Sequence, residues 1–186
     1  MRKVITIALF LFTCFFGFGQ NDLKIEMEVD AFSGDTIYLT SWISLHPAIR
    51  SYGKTMMRFA ALRNKEKRSK ILNIRVITNS LTSVLKDSEL LIKTTEGYVI
   101  KLTALGDYTG SLKDAGTYSL GLRTYSIESS YIIDDINMER LALKRIEAVR
   151  LTTIDGNLDT TPQNDKFTDN FRLGVNKFYT FLKHKK

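Results

Sequence analysis

"LKIEMEVDAFSGDTIYLTSWISL", residues 23–45, decides the fold class. In its first seven residues Leu23, Ile25, Met27 and Val29 alternate with Lys24, Glu26 and Glu28. Successive side chains of a strand point to opposite faces, so a period of two predicts a strand buried on one side. Asp30, Ser33, Gly34 and Asp35 then supply turn residues: Asp and Ser bond their own backbone, and Gly adopts positive φ at no steric cost. Thr36 to Leu45 returns as a run rich in β-branched and aromatic residues. The segment reads as a hairpin.

The same grammar continues toward the C-terminus. Residues 54–62 (KTMMRFAAL), 71–78 (ILNIRVIT), 88–95 (SELLIKTT), 98–105 (YVIKLTAL) and 118–129 (YSLGLRTYSIES) are predicted strands, with a turn at Glu96-Gly97. At Asp134 the period changes. Ile136, Met138 and Leu141 follow the acidic pair Asp134-Asp135, which predicts a short helix over 134–143. Lys144 and Arg145 suit its negative C-terminal end. Residues 145–154 (RIEAVRLTTI) return to strand, closed by Asp155-Gly156-Asn157. Beyond, Phe167, Phe171, Val175, Phe178 and Leu182 recur at helical spacing and predict an amphipathic helix over 162–183. Thr161 is its expected N-cap and Pro162 its first residue. Gly174 inside it costs about 1 kcal/mol relative to Ala, which points to close packing on the sheet.

The expected class is α+β. About eight mostly antiparallel strands form a sandwich or barrel, with a short helix before the last strand. The C-terminal amphipathic helix covers one face or open end. Without an internal repeat or a low-complexity linker, residues 20–186 read as one β-rich domain.

Ahead of that domain, Arg2 and Lys3 precede the uncharged apolar run Val4 to Phe16, and Gly17 and Gly19 stand just before Gln20. This layout predicts a signal peptide over 1–19, cleaved after Gly19, and a periplasmic or secreted mature chain. Sixteen residues separate Lys3 from Gln20, short of the roughly 20 that span a bilayer; no transmembrane segment is expected in the mature chain. The single cysteine, Cys14, admits a second reading as a lipid anchor. Against it, Phe12 and Thr13 suit a lipidation box poorly, and Phe15-Phe16 follow instead of polar residues. Without the leader the chain has no cysteine, so disulfides, thiol nucleophiles and Cys-based metal sites drop out. One domain of this length buries about 70% of its unfolded surface, so a core alone can hold it. Loss of Arg2 and Lys3 takes the formal charge from +7 to +5, a mild excess that calls for no nucleic-acid partner.

Three stretches, "DAFSGDTIYLTSW" (30–42), "EGYVIKL" (96–102) and "YSIESSYIIDDINMERLALKRIEAVRLTTIDGNLD" (125–159), resemble a loose group of small exported bacterial proteins of unknown function. The likeness rests on an Asp-x-Phe-x-Gly turn, a strand ending near Thr-Ser, a Gly-bearing hairpin, and a late helix followed by an Ile-x-x-Ile-Arg-Ile strand. Here that last element is Ile146-Glu147-Ala148-Val149-Arg150-Leu151, with two apolar positions substituted, and Lys86-Asp87-Ser88 replaces an expected Lys-Gly-Asp turn. The resemblance implies a β-rich exported fold. It implies no activity and no functional residues.

Groups that titrate or attack near neutral pH are scarce. His184 belongs to the basic end "KHKK", read as an exposed terminus. His46 precedes Pro47 in an expected loop, and no Gly-x-Ser-x-Gly elbow accompanies it; a hydrolase using His46 is the least favoured reading. "DGNLD" (155–159) starts like a calcium loop, but Thr160 and Lys166 stand where Gly and Glu belong, so it reads as a turn. No metal and no cofactor is expected.

"RNKEKRSK" (63–70) sets Arg63, Lys65, Lys67, Arg68 and Lys70 against Glu66 alone. These five are the candidate binding residues, for anionic envelope polymers or lipid headgroups; a solvated hairpin tip shielded by its lysines is the bland reading. Trp42, Tyr38, Tyr118, Tyr125 and Tyr131 either line a ligand cavity or fill the β core. The preferred function is an exported non-enzymatic module that binds an envelope component or another protein. The alternative is a barrel-type carrier of a small apolar ligand.

Overall fold

The computed structural model describes residues 23–29, 34–46, 54–63, 68–112 and 124–185. The signal-peptide and Cys14 readings, Lys65, Lys67 and Tyr118 lie outside them. Among the described residues the elements run β1 (Ile25–Val29), β2 (Thr36–Thr40), β3 (Ile43–His46), β4 (Thr55–Arg63), β5 (Arg68–Thr78), β6 (Ser83–Val84) and β7 (Glu89–Thr94). Then follow β8 (Val99–Thr103), β9 (Tyr108–Thr109), β10 (Ser111–Leu112), β11 (Tyr125–Ile132), α1 (Asp135–Leu143), β12 (Ile146–Thr153), β13 (Gly156–Thr160) and α2 (Asp165–His184).

All the pairings are antiparallel. One seven-stranded sheet has the order β1-β2-β4-β5-β11-β10, with β3 beside β4; a second has the order β13-β12-β7-β8, and β6 pairs β9. The Ala104–Tyr131 bridge and the Leu105 N–H bond to the Ser130 carbonyl (3.0 Å) tie the end of β8 to β11. The expected α+β class holds at this level, with more strands than the eight anticipated. The extra ones are the two-residue strands β6, β9 and β10, which carry no period, β13, and β3, split from the predicted strand 36–45.

The alternation read from sequence becomes rows across the large sheet. On its inner face Phe59, Leu72 and Tyr131 stand side by side on β4, β5 and β11, all fully buried; Met57, Ile74 and Ser129 form the next row. Leu90, Ile92, Ile100, Leu102, Val149 and Leu151 supply the inner face of the smaller sheet. Between them α2 inserts Phe171, Val175 and Phe178, each without exposed surface, and the ring of Phe59 lies 5.7 Å from Phe171 and 6.2 Å from Phe178. Both sheets and both helices contribute to one continuous core. The approach is close: a Cβ on Gly174 would sit 2.7 Å from Ile43 Cδ1, which is the packing expected of that glycine.

The returning strand 36–45 is broken in two by a bulge. Leu39 pairs Ala60 and Ile43 pairs Met57, so three residues on one strand face two on β4. The extra residue reverses the alternation. Tyr38 and Thr40 are buried before it and Leu45 after it, while Trp42 is released to the outer face. A bulge also orphans a ladder donor; the Phe59 N–H donates instead to Thr40 Oγ1 at 2.9 Å, in a buried setting. Thr40→Val is therefore expected to cost about 1–3 kcal/mol, the usual consequence of an unsatisfied buried donor. Thr40→Ser is expected to retain most of that stability. Urea midpoints of the two variants check this, and equal midpoints would refute it.

Several boundaries differ from the sequence reading. β5 begins at Arg68 instead of 71, and β11 runs to Ile132, with 118–123 outside the described residues. His46 is not in a loop: it ends β3 and pairs Thr55. Residues 155–157 do not close the sheet, because the chain turns at Ile154-Asp155 and returns as β13. That strand is polar and shows no alternation; its register is carried partly by Arg150, which lies opposite Asp159 and grips both carboxylate oxygens at 2.7 and 2.6 Å.

The helix starts also differ. Asp134 caps α1 as expected, accepting from Asn137 N at 2.7 Å. α2 starts later than predicted, capped by Asn164, not Thr161, with the Lys166 N–H bonded at 3.1 Å. Asn is a stronger cap, and Asp165 in the first turn suits the helix dipole. Arg145 fastens that turn to β12 through Asp169 (2.9 and 2.7 Å) and Asp165 (3.3 Å). The Arg145 hydrogen bonds hold the Asp169 carboxyl below its ordinary pKa.

Candidate binding site

The inner face of the β4–β5 hairpin changes character toward its tip. Phe59 pairs Leu72, then Ala61 pairs Lys70, then Arg63 pairs Arg68. By parity these pairs share one face, so the apolar surface ends in a basic rim. Ala61 is too small to fill the space beside Lys70, and there a pocket of about 410 Å³ opens between the hairpin and the last turns of α2. Its floor is apolar, made by the buried Tyr38, Ala61 and Tyr179 and the half-buried Leu182.

Five cations line it: Arg63, Arg68 and Lys70 from the hairpin, Lys183 and Lys185 from the end of α2. Asp135 is the one carboxylate among the described lining residues, and it is engaged with Lys70 Nζ at 2.6 Å. The other four cations have no carboxylate partner among the described residues. Arg63 Nη1 and Arg68 Nη2 both donate to the Lys185 carbonyl, at 3.3 and 3.2 Å. Lys183 Nζ lies 4.2 Å from the Tyr179 ring centroid and Lys185 Nζ 5.8 Å from that of Phe181, whose edge meets Tyr38 at 5.1 Å. Cations at a helix C-terminus complement its dipole, and the two arginines satisfy a terminal carbonyl. Toward the described residues those roles use one donor of each guanidinium.

Three of the predicted site residues, Arg63, Arg68 and Lys70, thus converge. Lys183, Lys185 and Tyr179 were not singled out by sequence reasoning, which named Tyr38 only among the aromatics of a cavity or the core. A signal was present: Tyr179, Leu182 and Lys183 lie at i, i+3 and i+4 and so share a helix face. The basic end is not a free tail through His184, which is the last residue of α2.

The aromatic set divides. Tyr38 and Tyr131 are buried in the core and Tyr125 is half-buried. Trp42 lies on the outer face with the guanidinium carbons of Arg58 and Arg75 at 4.4 and 4.3 Å from its ring centre. Glu128 bridges those arginines at 2.8 and 2.7 Å. With its carboxylate shared between two guanidiniums and the indole under both, this cluster is internally satisfied apart from Arg58 Nε.

His46 opens on a polar groove of about 680 Å³ walled by residues such as Thr78, Thr82, Thr153, Asn157 and Thr160. Among the described residues its Nδ1 has no hydrogen-bond partner, and neither has the Thr82 hydroxyl. Asp159, on the same groove, is committed to Arg150, whose hydrogen bonds hold the carboxyl below its usual pKa. Among the described residues no group of three His, Asp or Glu gathers as a metal site requires, and no helix is long and apolar enough to cross a membrane.

Comparison with protein-family models, with curated proteins and with solved structures finds no match to this chain.

Proposed function

We propose that the protein is an exported, non-enzymatic binding module that holds an anionic component of the cell envelope at the basic-rimmed pocket. The observation that carries this reading is the gathering of five cations from two distant chain segments around one pocket with, among the described residues, a single and already engaged carboxylate. Like charges brought together repel one another and destabilise a fold, and an anion at the rim relieves that cost. The leader-like residues 1–19 support export into a compartment where anionic polymers and headgroups are exposed.

Vesicle co-sedimentation tests the proposal. Binding is expected to vesicles containing phosphatidylglycerol and not to pure phosphatidylcholine, and to weaken as salt screens the rim. A basic residue near an anionic surface contributes about 1 kcal/mol, so Arg63→Gln with Arg68→Gln is expected to weaken binding roughly 30-fold. Equal partition onto both vesicle types, or an undiminished double variant, would overturn it.

A further inference from the structure

We infer that the ligand of this pocket is a single-chain anionic amphiphile, its headgroup on the cationic rim and its hydrocarbon chain on the apolar floor. The inference rests on the anion-binding reading above and narrows it. The cations stand around the opening, whereas the surface behind them is Tyr38, Ala61, Tyr179 and Leu182. A headgroup or phosphate without a chain would neutralise the rim and leave that floor wet. A purely apolar ligand would cover the floor and leave four cations without a counter-charge from the described residues.

The pocket's size favours one chain. About 410 Å³ falls toward the small end of the roughly 300–1,000 Å³ of ligand sites. The space exists because the core stops short of it: Phe171 and Phe178 fill the interior beside Phe59, and Ala61, the next inward residue of β4, leaves the gap. Lys183 shows how the two chemistries meet. Its ammonium lies over the Tyr179 ring, so an apolar wall continues into a charged edge.

Calorimetric titration with hexyl, octyl and decyl phosphate below micelle-forming concentration, beside inorganic phosphate and decanol, tests the inference. A buried methylene contributes about 0.8 kcal/mol, so affinity is expected to rise up to about fourfold per added carbon. Inorganic phosphate and decanol are each expected to bind at least tenfold more weakly than decyl phosphate, on the order of 1.4 kcal/mol or more. Ala61→Leu fills the gap without removing a cation and is expected to flatten the chain-length series while leaving the response to inorganic phosphate. Leu182→Gln, at a half-buried wall, gives the same readout should Ala61→Leu fold poorly. A flat series in the unaltered protein, with inorganic phosphate bound as tightly, would overturn the amphiphile and leave anion binding standing. So would binding to anionic vesicles without binding of the free alkyl phosphates, which would place the rim on a bilayer surface. Failure of every anion, vesicles included, would remove both readings.

Discussion

Phe171→Ala is expected to lower the unfolding free energy by about 3–5 kcal/mol, the range for deleting a buried phenyl group and leaving a cavity. Phe171 has no exposed surface and meets Phe59, itself fully buried, at 5.7 Å. That contact joins the large sheet to α2. A helix of this kind, with Gly174 in its interior, draws its stability from the apolar face it buries more than from intrinsic propensity. Domains are commonly stable by only about 5–15 kcal/mol, so the loss is a large share. Because the last turns of α2 supply Tyr179 and Lys183 to the pocket, loosening the helix is also expected to weaken anion binding. Phe167→Ala, at a half-buried position, is the control and is expected to cost markedly less. Denaturant unfolding of both variants measures the difference; a loss below about 1 kcal/mol for Phe171→Ala, well under the usual range for a buried phenyl group, would show that α2 is not anchored as described.

Alkaline solution is expected to destabilise the protein through Tyr131. Burial pushes its phenol up from 10.0 to about 12, opposed by the hydrogen bond with Ser129. The side chain is fully buried, and its hydroxyl lies 3.1 Å from Ser129 Oγ. A raised acid constant means that the folded state holds the proton more tightly than the unfolded chain. The associated stability is fully present below pH 10 and is lost as the pH rises from 10 toward 12. Two pH units correspond to about 3 kcal/mol. Tyr131→Phe is expected to lose about 1 kcal/mol at neutral pH, for the hydrogen bond left unmade, and to lack this tyrosine component of the alkaline decline. Stability measured from pH 8 to 12 for both proteins checks the sign; parallel curves would refute it.

The strand grammar was legible because one buried face imposes a period of two on local sequence. Met57 and Phe59 on β4, Leu72 and Ile74 on β5, and Leu90 and Ile92 on β7 all obey it and all face the core. The stripe of α2 was legible for the same reason at a different period. β13 was not, since five residues with one half-buried leucine carry no pattern; pairing with β12 and the Arg150–Asp159 contact place it. The bulge at Ser41-Trp42 is a mismatch between two strands, and neither strand shows it alone. It decides that Trp42 lies on the outer face under two guanidiniums, where sequence offered a core or a cavity.

Of the candidate site, the sequence by itself determined that a dense basic run ends one hairpin and that an amphipathic helix is followed by a second basic run. Composition and local order fix those features. Only the tertiary structure decided that the two ends meet. Arg63 and Lys185 stand far apart in the chain yet share a hydrogen bond, because burial of the α2 aromatic stripe between the sheets carries its final turn to the hairpin. A long-range contact is set by packing of the whole core, and no local period encodes it.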